Sequence, residues 1–178
     1  MRTLTRRWRK LLLVAAAIAA ALVAFSAWYK LHYSMDVARS FEVNDPHSKP
    51  RVLIATQGSE FKDAVVSGVV DHLKTRAAYV KVIDVSALSD VAVDEWDAIV
   101  LVHTWEMHRP QADAQAFVNR ARNTPKMVVL STSGAGDFKM EGIDVISSAS
   151  TIADVPARVE AIIEKVDAIL DGGGRSAG

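Results

Sequence analysis

Hydrophobic residues fall along this chain in three regimes. The first is one continuous block: Leu11 to Trp28 reads LLLVAAAIAAALVAFSAW, with Ser26 as its single polar member. A helix of that length spans about 27 Å at 1.5 Å per residue, enough for the hydrocarbon core of a bilayer. The second regime, residues 29 to 50, is polar, has no sustained period and contains Pro46 and Pro50; it predicts a linker. The third regime alternates. Short apolar runs at 51–56, 79–85, 98–102, 127–130 and around Val145-Ile146 predict strands. Between the first two strands Phe61, Ala64, Val65, Gly68, Val69, His72 and Leu73 recur at helical spacing. Ala114, Phe117, Val118 and Ala121 mark a helix over 112–122. Val155, Val159, Ile162, Ile163, Val166 and Leu170 mark a last amphipathic helix.

Strands that alternate with helices imply βαβ units, a parallel sheet and an α/β fold. The apolar runs do not alternate with polar residues, as expected when helices cover both sheet faces. Right-handed crossovers through five strands suggest the order 2-1-3-4-5, a three-layer sandwich. The stretch from Ser131 to Asp144 reads as loop, long enough for a parallel crossover. The domain is thus expected over 51–171, with a disordered Gly-rich tail over 172–178.

Charge orients the apolar block. The chain has 21 basic and 21 acidic residues. Five of the cations (Arg2, Arg6, Arg7, Arg9, Lys10) lie in residues 1–10, where there is no acid, so the remainder carries a formal charge of −5. A basic flank stays in the cytoplasm, which puts the body on the periplasmic or extracellular side of a single-pass cell-membrane protein. Trp28 and Tyr29 sit where interfacial aromatics belong. Two other readings of the N-terminus stay open. Small residues at Ala24 and Ser26 permit signal-peptide cleavage after Ser26, although the run is longer than a usual signal core and favours an uncleaved signal-anchor. Thr5-Arg6-Arg7 also suits a twin-arginine export signal. The acidic body lacks the footprint of a nucleic-acid binder. The absence of cysteine excludes disulfides, a thiol nucleophile and zinc–thiolate sites.

Three loops at the carboxyl ends of strands carry the candidate chemistry, where open α/β sheets bind ligands. The first is Thr56-Gln57-Gly58-Ser59-Glu60, opening a helix; the second is His103-Thr104-Trp105-Glu106-Met107-His108; the third is Ser131-Thr132-Ser133-Gly134-Ala135-Gly136-Asp137-Phe138. With the element order of 51–170, these loops resemble those of the flavodoxin-like family. The resemblance implies a binding site for flavin mononucleotide (FMN). Thr56, Gly58 and Ser59 would cradle the phosphate at a helix start. Thr104 and Trp105 would meet the isoalloxazine ring, with Trp105 stacking on it. Ser133, Gly134, Gly136 and Asp137 would approach the ring through backbone. No catalytic residue is implied, because the cofactor does the chemistry. The family pattern has hydroxyl residues three and one before the first-loop glycine and two after it. This chain has Ala55, Gln57 and Glu60 there, and a carboxylate repels a phosphate. On the residues alone, Ser59 caps the helix and Glu60 complements its dipole.

Other chemistries fall away. His103, Glu106 and His108 match no helical metal-ligand spacing. Ser133 lacks the flanking glycines of a nucleophile elbow, with Ser131 and Ala135 in their places. There is no Gly-x-x-x-x-Gly-Lys. Thr56 and His103 stand where a phosphorelay receiver needs acids. Two functions follow. One is an FMN-dependent electron-transfer module, held near envelope partners by its anchor. The other is a cofactor-free module for protein interaction. An open nest at Gly58 favours the first; Gln57 or Glu60 filling it favours the second.

Overall fold

A computed structural model describes residues 6–33, 35–106, 109–138, 140 and 143–173. The chain divides into two compact units, residues 1–35 and 36–178.

The first unit is the helix α1, Arg6–Tyr33. It extends the apolar block in both directions, because helix propagation needs only backbone bonds and the flanking residues have no Gly or Pro to stop it. The stretch Arg6–Ser26 is long and apolar enough to cross a membrane. Residues 1–5 of the basic flank lie outside the described residues.

The second unit is a doubly wound sheet. Its parallel strands are β2 (Arg51–Thr56), β3 (Tyr79–Asp84), β4 (Ala98–Glu106), β6 (Met127–Thr132) and β7 (Val145–Ser148). They run in the spatial order β3-β2-β4-β6-β7, which is the expected 2-1-3-4-5. Two short strands add to the expected five. β1 (Phe41–Val43) pairs antiparallel with β3, and β5 (Arg109–Pro110) folds back on the end of β4. Helices α2 (Glu60–Thr75) and α4 (Val155–Gly173) cover one face, and α3 (Ala112–Ala121) covers the other.

The continuous apolar runs are explained by this layering. Val52, Ile54, Val100, Val102, Val128 and Leu130 pack with α2 and α4. Their neighbours Leu53, Ala55, Ile99, Leu101 and Val129 pack with α3. Successive residues of a strand point to opposite faces, so two covered faces need apolar residues at every position.

Three expectations need correction. The linker does not run over 29–50: α1 continues to Tyr33, and residues 36–43 form a strap that belongs to the domain. Ala38 is buried, its N–H donates to Asp84 Oδ2 at 2.7 Å, and β1 extends the sheet. A three-residue strand is too short to show a period, so the sequence hid it. β4 runs to Glu106 rather than Val102, and β6 to Thr132 rather than Leu130, because His103 and Thr104 pair in register with Ser131 and Thr132. Finally, α4 includes Gly172 and Gly173, which the sequence placed in the tail; residues 174–178 lie outside the described residues.

The helices α2 and α4 approach closely at Gly68, where a Cβ would come within 2.8 Å of the Val159 side chain. An ionic clamp joins them further along. His72 Nε2 and Arg76 contact Asp167 at 3.0 and 2.6 Å, and Arg76 also meets Asp171. Partial burial acts to raise the Asp167 pKa, but the hydrogen bonds from His72 and Arg76 outweigh it and hold the carboxyl below its usual value. Replacing Arg76 with Ala is expected to cost about 1 kcal/mol, the upper end for a half-exposed pair. Urea denaturation reads this as a lower midpoint at unchanged slope; an unmoved midpoint would mean the clamp is only decorative.

Candidate functional site

The buried polar residues mark one end of the domain. Thr56, Gln57, Lys62, Asp84, His103, Ser131, Thr132, Ser133 and Ser148 are all buried, and all lie at or next to the carboxyl ends of β2, β3, β4, β6 and β7. Burying polar groups costs free energy unless they are bonded. Such a layer at the ligand-binding edge of an open sheet is where a site is expected.

The first loop is bonded from within, and Thr56, Gly58, Ser59 and Glu60 also border a groove between residues 36–43 and α2. Ser59 caps α2: its backbone is extended and its Oγ accepts from the N–H of Lys62 at 3.3 Å. The Gly58 N–H donates to the carbonyl of Asp36 at 2.7 Å, so the strap lies across the loop. Gly58 is required by this approach, since a Cβ there would come within 2.9 Å of that oxygen. The Thr56 hydroxyl donates to the Gln57 carbonyl at 3.1 Å. The Gln57 side chain reaches across to β4. Its Oε1 accepts from the N–H of Thr104 at 2.8 Å, and its Nε2 donates to Glu106 at 3.3 Å. The three residues assigned to phosphate by resemblance, Thr56, Gly58 and Ser59, thus spend these donors and acceptors inside the chain.

Thr104 and Trp105 belong to a strand and not to a free loop. The Thr104 and Thr132 hydroxyls bond each other at 2.9 Å across β4 and β6. Trp105 is half-buried and stacks on Phe138, with ring centroids 4.9 Å apart and planes inclined by 18°. That geometry is a favourable offset stack, and it occupies one face of the indole. The Trp105 Nε1 is buried and has no hydrogen-bond partner among the described residues.

His103 is fully buried, and its Nδ1 lies 3.3 Å from the Thr104 carbonyl. The Nδ1 then carries the proton and Nε2 presents a lone pair. Burial depresses its pKa to about 4, against the Thr104 carbonyl and with help from the Lys62 charge. Lys62 itself is almost wholly buried; desolvation lowers its pKa to about 8, opposed by Glu106 and Asp63. His108, the third member of the metal set weighed above, lies outside the described residues. Among the described residues no group of three potential ligands converges.

The third loop is set by hydrogen bonds to Ser133 and to Ser148 at the end of β7. Ser133 N–H donates to the Ser148 carbonyl at 3.1 Å, and Gly136 N–H donates to Ser133 Oγ at 2.9 Å. Gly136 has φ +73°, a left-handed conformation that favours glycine. Gly134 and Asp137 are exposed, and a Cβ on Gly134 would meet none of the described residues within 4 Å.

The structure therefore brings Thr56, Gly58, Ser59 and Thr104 to one end of the sheet through Gln57, and joins Ser133 to Gly136. Sequence reasoning missed Asp36, Ala38, Lys62 and Asp84. Asp84 left a signal: an acid closing an apolar strand. It holds Ala38 through one oxygen, and the other accepts from Ser86 N–H and Oγ at 2.9 and 2.7 Å.

The chain matches no protein-family model and no curated protein. Among solved structures it is similar to a flavodoxin from the domain Archaea, at 13% identity and TM-score 0.47, covering 67% of this chain and 98% of that one. Flavodoxin 2 from Bacillus cereus is similar at 14% identity and TM-score 0.44, covering 65% and 97%. A flavodiiron core from Synechocystis is similar at 10% identity and TM-score 0.49, covering 68% of this chain but only 36% of that one. This chain thus spans about a third of the flavodiiron core's length. By its own strand order and layering, the protein is a flavodoxin-like α/β domain that carries an N-terminal helix able to span a membrane.

Proposed function

We propose that this protein is a membrane-anchored, flavodoxin-like interaction module of the cell envelope that works without FMN. The Gln57 side chain carries the reading. It bridges the first loop to β4 and satisfies the Thr104 N–H, while the Gly58 N–H is committed to Asp36. A phosphate needs free donors at a helix start, and Glu60, exposed in the first turn of α2, adds a repelling charge. The residues present do not fit an FMN phosphate. The basic residues among 1–10, most of them in the first turns of α1, support an N-terminus in the cytoplasm and a domain in the periplasm or outside the cell.

The FMN-dependent electron-transfer reading has two observations in its favour: among the described residues, Gly134 has open surroundings and the indole N–H of Trp105 has no partner. One titration separates the two. FMN added to the purified chain is expected to keep the spectrum and fluorescence of free flavin at every ratio. A saturable spectral shift or quenching, lost in Trp105→Ala, overturns the cofactor-free reading.

A further inference from the structure

Outside α1, the exposed large hydrophobic residues among those described are Val37, Phe41 and Ile152. Two of these three line one groove. It has a volume of about 630 Å³ and lies between the strap and α2, walled by Val37 and Phe41 on one side and by Val66 and Val70 on the other, with Thr56, Gly58 and Ser59 of the first loop also lining it. Val37 is 79% exposed although its neighbours are fixed. The Asp36 carbonyl holds Gly58, and the Ala38 N–H holds Asp84. An apolar side chain is thus kept in water by a strap pinned on both sides of it, at the cost of its hydration. Such a wall needs little ordering when something binds.

The groove's rim is acidic. Asp36, Glu60 and Asp63 border it, all exposed, with Arg39 as the opposing cation. Asp71 and Lys74 also border it, but they pair with each other at 2.9 Å. The unbalanced charge is negative, beside an apolar floor. An anionic lipid surface or a nucleic acid is repelled by such a rim. A cationic segment with apolar side chains is complementary in both respects.

We infer that the groove between the strap and α2 is a docking site for a short basic, apolar segment of a partner protein. This rests on the reading of the domain as an interaction module. The test uses the full chain in nanodiscs of zwitterionic lipid, so that the membrane itself does not attract the probe. Two fluorescent peptides are compared by anisotropy, one alternating leucine with lysine and the other leucine with glutamate. The lysine peptide is expected to bind saturably and more weakly as salt rises. Val37→Ser and the double variant Asp36→Asn/Asp63→Asn are each expected to weaken it by about tenfold, the loss typical of a contact that matters at an interface. Ile152→Ser, at the exposed apolar residue outside the groove, should leave it unchanged. All these side chains are exposed, so the variants fold. Absence of binding, equal binding of both peptides, or unchanged affinity in Val37→Ser overturns the inference. Such a failure leaves the cofactor-free reading standing, since only the FMN titration addresses that.

Discussion

Acidification from about pH 6.5 to about pH 4 is expected to destabilise the folded domain by roughly 3 kcal/mol through His103 alone. The imidazole is fully buried, and its folded pKa is about 4 against an ordinary 6.5. The cause is mainly desolvation, with the Lys62 charge adding to it. A depressed folded pKa means that the unfolded chain binds the proton first as pH falls. The stability from keeping His103 neutral is therefore complete above about pH 6.5 and is lost as pH drops toward 4. Urea denaturation across this range measures the slope. His103→Leu removes the titration while keeping a buried side chain of similar size, so its stability should vary less with pH over the same window. A slope as steep in the variant as in the wild type would assign the acid sensitivity to other groups. The clamp of His72, Arg76 and Asp167 is present in both proteins, so the difference between wild type and His103→Leu isolates the buried imidazole.

Gly136→Ala is expected to cost about 2–4 kcal/mol, combining a left-handed non-glycine residue with overpacking. The methyl would lie 2.7 Å from the backbone nitrogen of Ala149 and 3.0 Å from the carbonyl carbon of Ser148. Those are backbone atoms at the end of β7, so no side-chain rotation relieves the overlap. The third loop must lift away, and the hydrogen bond from Gly136 to Ser133 goes with it. Gly134→Ala, two residues earlier, is the control. It meets none of the described residues within 4 Å and should stay within about 0.5 kcal/mol of wild type. For a domain of this size the first variant should melt roughly 4–16 °C lower. If the two variants melt alike, the strain at Gly136 is not what shapes the loop.

These expectations bear on how the loops came to be closed. In the reading proposed above, the end of the sheet where such folds take ligands is stitched together by Gln57, by the strap and by paired hydroxyls. The polar layer then belongs to stability, and exposed apolar surface lies on the groove between the strap and α2. The strap links the two: its backbone closes the first loop, while Val37 and Phe41 face the groove.

The amino-acid pattern alone determined the architecture. An apolar block of membrane length, uninterrupted strand runs and the amphipathic period of the last helix each report a local physical demand. A residue's burial repeats with the geometry of its own element, so these demands are legible without knowing any partner. The parallel order 2-1-3-4-5 followed from connection rules. The same sequence also exposed the departures at Gln57 and Glu60.

Only the tertiary structure decided what those departures do. Gln57 reaches Thr104 and Glu106, 47 and 49 residues away, and Asp84 reaches Ala38 across 46. A side chain's hydrogen-bond partner at that separation is set by strand register, and no local period encodes it. For the same reason β1 escaped notice, having three residues and a partner on the far side of β2 in sequence. His103 and Thr104 read as loop because polar residues usually end a strand; pairing with Ser131 and Thr132 carried the strand onward. The fold was written in periodicity, whereas the closing of its ligand edge was written in contacts that exist only once the sheet has formed.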